Sequence, residues 1–320
     1  MAAPDAAPAV TAAGISRVLL FTAKWCSVCH QLKHEVLGEA KPGAARIASA
    51  PVEEVDFDAP ANRAAVTRFG VTGLPTVVLL DGKGEEKDRI EGFEGREAFL
   101  AEVRAIEAGR DTLHLLRDQA ERAPANLELK AKLGARLLAL GREAEARKIY
   151  EAVLAADPAN RSGEVPRVLM HLGRYLVRVK ADLPAATAHF ESALKRFPDG
   201  KDGERFAYWL GMARCQAGRK DEAVAGIDAW ARARGNPPAA TLLQADLRQT
   251  CGHDLARALD LARQGVAAKP KDDWGWYLVA VLSHALGRPA EVAPAMTRAM
   301  ELDPTSAFYR NEKVRLAGAR

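Results

Sequence analysis

The sequence predicts two domains of different class in series. A mixed α/β domain covers residues 17–109 and an all-α array of helical pairs covers residues 110–320, with residues 1–16 read as a disordered lead-in. Three observations carry this reading. Short apolar runs of strand length alternate with helical stretches as far as residue 106, which implies a layered α/β structure. From about Asp111 onward the strand signals vanish and a recurrence of 33–40 residues sets in, the period of a helical solenoid. A Cys-x-x-Cys pair, Cys26 and Cys29, stands between the first strand-like run and the first helix-like one.

In order along the chain, the Ala/Pro-rich start (MAAPDAAPAVTAAGISR) lacks an early positive charge and an apolar h-region, so it does not read as a signal peptide. It fits a cytoplasmic start if Met1 is native, or a mature periplasmic chain whose signal has been removed, and the compartment stays open. Arg17–Ala23 is the first strand candidate, followed by the cysteine pair and a helical stretch to about Glu39. Val52–Phe57, Leu74–Leu80 and Glu86–Ile90 are further strand candidates, with Asp81-Gly82 a turn signal. Asn62–Phe69 and Glu97–Ile106 read as helices.

In the second half, prolines that end helical stretches stand at Pro124, Pro158, Pro198, Pro237, Pro270 and Pro304. Small and bulky residues keep register between them: Ala146, Tyr150 and Pro158 recur with identical gaps as Ala186, Phe190 and Pro198. Leu-Gly pairs end at Gly134, Gly173 and Gly211, and Gly141, Gly218 and Gly287 mark tight turns. Small residues let paired helices approach, and bulky ones fill the space to the next pair. The second and third intervals carry insertions of five or six residues, so those units are expected to be distorted.

Composition excludes several classes. The chain is 48% hydrophobic and 28% charged, as a soluble globular protein is. No apolar stretch approaches the roughly 18 residues of a membrane span, so no membrane insertion is expected. A net charge of +4 is too small for a dedicated nucleic-acid binder. It conceals an acidic first domain, net −4 over residues 1–109, beside a basic remainder of net +8. Four cysteines in 320 residues do not make a disulfide scaffold. Cys215 and Cys251 read as small buried hydrophobes, with a long-range disulfide between them left open.

The position of Cys26 and Cys29 points to thiol chemistry. At a helix N-terminus the unpaired N–H groups and the macrodipole favour an anion, so a cysteine there is held as a nucleophilic thiolate. Cys26, at the turn, is the group to attack a substrate disulfide. Cys29, one helical turn further in, resolves the mixed disulfide.

The motif Trp25-Cys26-Ser27-Val28-Cys29-His30 after a strand, followed by Gly73-Leu74-Pro75-Thr76 and then Gly92, resembles the thioredoxin fold over residues 17–107. The sequence FTAKWCSVCHQLKHEVL is most similar to the periplasmic thioredoxin-like domain of the bacterial membrane disulfide-reductant transporters. The resemblance implies that Pro75 is a cis-proline facing the cysteines. It also implies that Leu74 and the backbone near Gly92 hold a substrate segment as an added strand. Trp25 and His30 are supporting residues, His30 as a local tuner of the thiol pair. The sequence departs from the family at Leu20, six residues before Cys26, where thioredoxins carry a buried carboxylate that accepts a proton. Glu54 on the next strand is the one candidate substitute. The second half resembles the tetratricopeptide repeat, with five copies after a half-unit.

Two rival readings use the same residues. Cys-x-x-Cys-His is also the attachment motif of c-type haem, but the strand–helix setting with its Gly-Leu-Pro-Thr partner leaves no haem pocket. Cys26, Cys29, His30 and His34 form a zinc-like donor set. His30 and His34, however, share one helical face displaced from Cys26. No cofactor and no metal is therefore expected.

The repeat register nominates Arg167, Met170, Arg174, Arg205, Tyr208, Met212, Trp274, Tyr277 and His284 for a basic, aromatic groove that takes an extended or acidic peptide from a client or redox-partner protein. Two function classes follow. One is a thiol–disulfide oxidoreductase, with reductant the direction the resemblance implies. The other is a holdase or scaffold similar to the chaperedoxins, in which the repeats are the main function and the thiol pair is regulatory.

Overall fold

The computed structural model describes residues 14–23, 26–38, 45–109, 112–304 and 306–318. The chain falls into two compact units, residues 1–171 and 172–320.

The first unit is built on a five-stranded sheet of order β2-β3-β1-β4-β5. Its strands are β1 (Arg17–Thr22), β2 (Arg46–Ile47), β3 (Ala50–Asp56), β4 (Thr76–Leu80) and β5 (Glu86–Glu91). β1 runs parallel to β3 and antiparallel to β4, with Leu20 opposite both Glu54 and Val77. Residues 18–21 of β1 and 77–80 of β4 are continuous apolar runs because both sheet faces are covered. On one face Val18, Leu20, Val52, Val77, Leu79 and Ile90 pack with Leu32 of α1 (Ser27–Leu32) and with Phe99, Val103 and Ile106 of α3 (Arg96–Glu107). On the other, Leu19, Phe21, Val55, Val78 and Leu80 pack with Val66 of α2 (Arg63–Arg68) and with Phe69.

The observed elements lie within a few residues of those expected. The pattern missed β2, which at two residues is too short to show any periodicity. The expected helix to Glu39 is α1 continued by a π-helical turn, Lys33–Leu37, and Glu39 itself lies outside the described residues. Residues 1–13 of the expected disordered lead-in also lie outside them. The last residues of that lead-in belong to the fold: Ile15 is fully buried in the core, and the Ser16 N–H donates to the Leu80 carbonyl at 2.8 Å.

The same unit continues into α4 (Thr112–Arg122), α5 (Leu127–Ala139) and α6 (Glu143–Ala156). Asn126 caps α5 by accepting the Leu129 N–H at 3.1 Å. Gly134 faces the Tyr150 ring so closely that a Cβ there would come within 2.2 Å of it. A buried ionic cluster ties α5 to the sheet. Arg136 donates to Glu86 Oε1 and to Asp88 Oδ1, both at 2.8 Å. Arg89 donates through Nε to Glu86 at 2.7 Å, and through its Nη2 to the carbonyls of Phe69 at 2.6 Å and Ala139 at 3.3 Å. The cluster lies within the first compact unit, which includes the expected α/β domain and the helices that follow it as far as residue 171.

The remaining helices are α7 (Glu164–Tyr175), α8 (Leu183–Arg196), α9 (Gly200–Gln216), α10 (Lys220–Arg232), α11 (Pro238–Cys251), α12 (Leu255–Ala268), α13 (Asp273–Ala285), α14 (Pro289–Leu302) and α15 (Ala307–Gly318). In the second unit α9 packs on α10, α11 on α12 and α13 on α14, and α9, α11 and α13 lie side by side in sequence. The close approach seen at Gly134 recurs at Gly173, where a Cβ would come within 2.3 Å of the Phe190 ring. The insertions expected in two intervals are absorbed locally. α7 runs into a π-helical turn, Leu176–Lys180, closed by Ala181 at φ 53°, and α9 is lengthened to 17 residues. Among the described residues no helix is long and apolar enough to cross a membrane.

Candidate active site and repeat surface

Cys26 forms the N-cap of α1. Its own N–H donates to the Ala23 carbonyl at the end of β1 at 3.1 Å, and its Sγ accepts the N–H of Cys29 at 3.1 Å. The position follows from the sequence, because β1 ends in an apolar run that anchors the turn and α1 starts at the next residue. Cys26 and Cys29 are joined as a disulfide with 5.2 Å between their Cα atoms. Cys26 is 6% exposed and Cys29 0%, so the outer sulfur is the one within reach of solvent. Val28, between them, is 39% exposed and presents an apolar side chain beside the pair.

The residues expected around the pair converge in part. The Leu74–Pro75 peptide is cis, as the resemblance implies. Leu74 and Phe57 pack against the cluster of Ala23, Cys26 and Cys29. Gly92, at φ 80°, donates its N–H to the Pro75 carbonyl at 2.8 Å, which fixes the Leu74–Pro75 turn against the end of β5. His30 is buried on α1, and its backbone N–H donates to the Cys26 carbonyl at 3.2 Å. Trp25 lies outside the described residues. Phe57, absent from the sequence-based set, follows β3 and reaches the cysteines because its N–H donates to the Thr22 carbonyl at 2.8 Å. An aromatic residue at a strand end was the only signal for it.

The family's carboxylate position is Leu20, fully buried in an apolar cluster with Val18, Leu32 and Val77. Glu54, the candidate substitute, is exposed and paired with Lys33 Nζ at 2.9 Å. His34 is exposed. Among the described residues no three His, Cys, Asp or Glu side chains gather as a metal site would.

The expected groove residues do not all share one surface. Arg205 is exposed on α9, and Arg167 is exposed on α7 with Glu164 3.4 Å away. Arg174 is half-buried, its guanidinium 5.5 Å from the centre of the Trp209 ring. Tyr277 is a correction. It is buried in the aromatic packing of α13 against α15, 4.8 Å from Phe308, and donates to Glu312 at 3.0 Å. Met170 is likewise buried. Trp274 is half-buried on Tyr277 at 4.8 Å. Helical register places a residue on a face, but the bulk of neighbouring rings decides whether that face stays open.

What the spacing missed is a polar centre on the inner helices. Tyr208 of α9 and Trp274 of α13 both donate hydrogen bonds to the carboxylate of Asp246 on α11. Burial raises the Asp246 pKa to about 6, with the two donors working against that rise. Burial, together with the neighbouring Asp246 charge, holds the Tyr208 hydroxyl well above its ordinary range.

Residues 4–107 match the family model of the thioredoxin-like domain. No curated protein matches the chain. Solved structures similar to it include TTC0263, a thermophilic TPR protein of Thermus thermophilus, at 18% identity, 60% of this chain and 98% of that one, TM-score 0.45. A tetratricopeptide repeat protein from Parabacteroides merdae matches at 17% identity, 69% and 88% coverage and TM-score 0.43. YrrB, a TPR protein with an unusual peptide-binding site, matches at 16% identity, 62% and 97% coverage and TM-score 0.38. The N-terminal third of the chain thus matches a thioredoxin-like domain, and an all-α region of paired helices follows it.

Proposed function

We propose that the chain is a protein thiol–disulfide oxidoreductase that works as a reductase through Cys26 and Cys29, and that its repeat region binds client or redox-partner proteins. The observation that carries this reading is the capping geometry: the outer sulfur accepts the N–H of Cys29 at 3.1 Å, with the inner sulfur fully buried behind it. An N–H aimed at Sγ stabilises negative charge on it once the disulfide is reduced.

In the reduced protein the Cys26 thiolate attacks one sulfur of a substrate disulfide. A Cys26–substrate bond forms, the substrate S–S bond breaks, and one substrate thiolate leaves. The Cys29 sulfur then attacks Cys26 Sγ, which forms the Cys26–Cys29 disulfide and expels the second substrate thiolate. Two electrons pass to the substrate, and a dithiol donor must restore the pair. Cys29 has to lose its proton in the second step. Leu20 cannot accept it and Glu54 is engaged with Lys33, so the proton passes to water. Leu74 and the exposed Val28 offer the apolar border for an extended substrate segment.

A second reading, a holdase or scaffold in which the thiol pair is regulatory, is favoured by Leu20, since a slow release step suits a protein that holds its clients. One experiment separates them. Insulin reduction is measured for the wild type and for Cys26→Ser, beside suppression of aggregation of a denatured client. Turnover that disappears in Cys26→Ser supports the reductase; no turnover in the wild type sinks it. Cys29→Ser is expected to retain the partner as a mixed disulfide on Cys26, identifiable by mass spectrometry.

A further inference from the structure

We propose that Cys215 and Cys251 form a second thiol–disulfide couple, independent of Cys26 and Cys29, that cross-links two inner helices of the repeat region. Both sulfurs are bonded in this structure, where the sequence favoured two separate packing residues. Cys215 lies in the last turn of α9 and Cys251 is the last residue of α11, 36 positions later, with 5.8 Å between their Cα atoms. That separation is within bridging range without movement of the backbone. The register brings them together: α9 and α11 are the first helices of successive pairs, so equivalent positions near their C-termini are neighbours. Among the described residues no cysteine stands free.

The two sulfurs are unequal in the way Cys26 and Cys29 are. Cys251 is 4% exposed and packed with Ala223, Ile227 and Leu247, whereas Cys215 is half-buried at the border of the same cluster. The oxidant is a disulfide, either low-molecular-weight or carried by a protein. The Cys215 thiolate attacks it, a mixed disulfide forms, and one thiolate leaves. The Cys251 sulfur then attacks Cys215 Sγ and expels the second. Two thiols become one disulfide, and their two protons pass to the two departing thiolates, so that the oxidant becomes two thiols.

The consequence reaches the polar centre of the inner helices. Tyr208 and Met212, on the same helix as Cys215, pack against the same cluster. Asp246 lies five residues before Cys251. Oxidation fixes the spacing of the two helices that carry Tyr208 and Asp246, and reduction releases it.

The test uses the full chain with Cys26→Ser and Cys29→Ser, so that failure of the proposed reductase reading does not affect it. The reduced protein is exposed to oxidised glutathione, its thiols are counted, and peptides are mapped by mass spectrometry. The expected result is loss of both thiols to an intramolecular Cys215–Cys251 bridge, with a Tm for the repeat region about 5–10 °C above that of the reduced form. Adding Cys251→Ser should leave glutathione on Cys215. Adding Cys215→Ser should leave Cys251 at least about tenfold less reactive, in line with its burial. Cys251→Ala serves the same purpose if the serine variant does not fold. Two persistent thiols, a bridge between chains, or faster modification of Cys251 than of Cys215 would overturn the proposal.

Discussion

Replacement of Arg136 by alanine should destabilise the first unit by about 3–5 kcal/mol, the range for removing one partner from a buried ionic cluster. The geometry of the cluster sets that range. The Arg136 side chain is 5% exposed and those of Glu86 and Asp88 are 10% and 2%. Glu86 keeps Arg89 as a partner after the substitution, and Asp88 keeps the N–H of Arg89 at 2.8 Å. Neither replaces a guanidinium, so a desolvated carboxylate is left under-compensated. Urea unfolding of the full chain, followed by far-UV circular dichroism, measures the change. Arg142→Ala is the control, because Arg142 pairs with Glu145 at the exposed end of α6, and such pairs are worth about 0–1 kcal/mol. Arg136→Met combined with Asp88→Leu should recover much of the loss, since an apolar replacement of a whole buried pair is often neutral. The same cluster predicts that a fragment ending at residue 109 is far less stable than one ending near residue 160. The reasoning is refuted if Arg136→Ala lies within about 1 kcal/mol of the wild type, or if the two fragments unfold at the same urea concentration.

Two further outcomes follow from the two halves of the chain. Leu20→Asp places a carboxylate at the position where the family has one. It should lower stability by several kcal/mol, because that site is apolar. Stopped-flow kinetics should at the same time show faster release of the mixed disulfide, by roughly tenfold or more, and a shifted pH profile, as a general base would give; an unchanged rate and profile would remove the proton-acceptor argument. For Asp246 the folded pKa of about 6 lies above the ordinary value of 3.8, so the folded state holds the proton more tightly than the unfolded chain. Its stabilising contribution is therefore complete below about pH 4 and is lost as pH rises through about 6, to a total of roughly 2–3 kcal/mol. Asp246→Asn keeps an acceptor for Tyr208 and Trp274. It should match the wild type near pH 4 and exceed it in thermal stability at pH 7; the opposite ordering at pH 7 would refute the burial argument.

The parts of this molecule that were legible in the sequence are those specified by neighbours along the chain. The setting of the cysteine pair was legible because a strand, a turn and a helix start all lie within residues 17–32, and Cys26 caps α1. The contacts of Gly134 with Tyr150 and of Gly173 with Phe190 were legible because the repeat copies one spacing of small and bulky residues. Tyr277 was misplaced because the identical register puts a ring either in a groove or in a core, and only Phe308 and Glu312, more than thirty residues away, decide between them. Arg136 is the strongest case. In the sequence it is one arginine on an amphipathic helix, and Glu86 and Asp88 are two acids on an alternating strand, each ordinary as a solvated charge. Their pairing spans about fifty residues and two folds, and charge patterning carries no signal over that distance. Once paired, they join the last strand of the sheet to α5 within the first unit. A composition change thus marks where one class of secondary structure ends, while the fragment comparison above tests whether the charges taken out of water together carry the folding unit beyond that point.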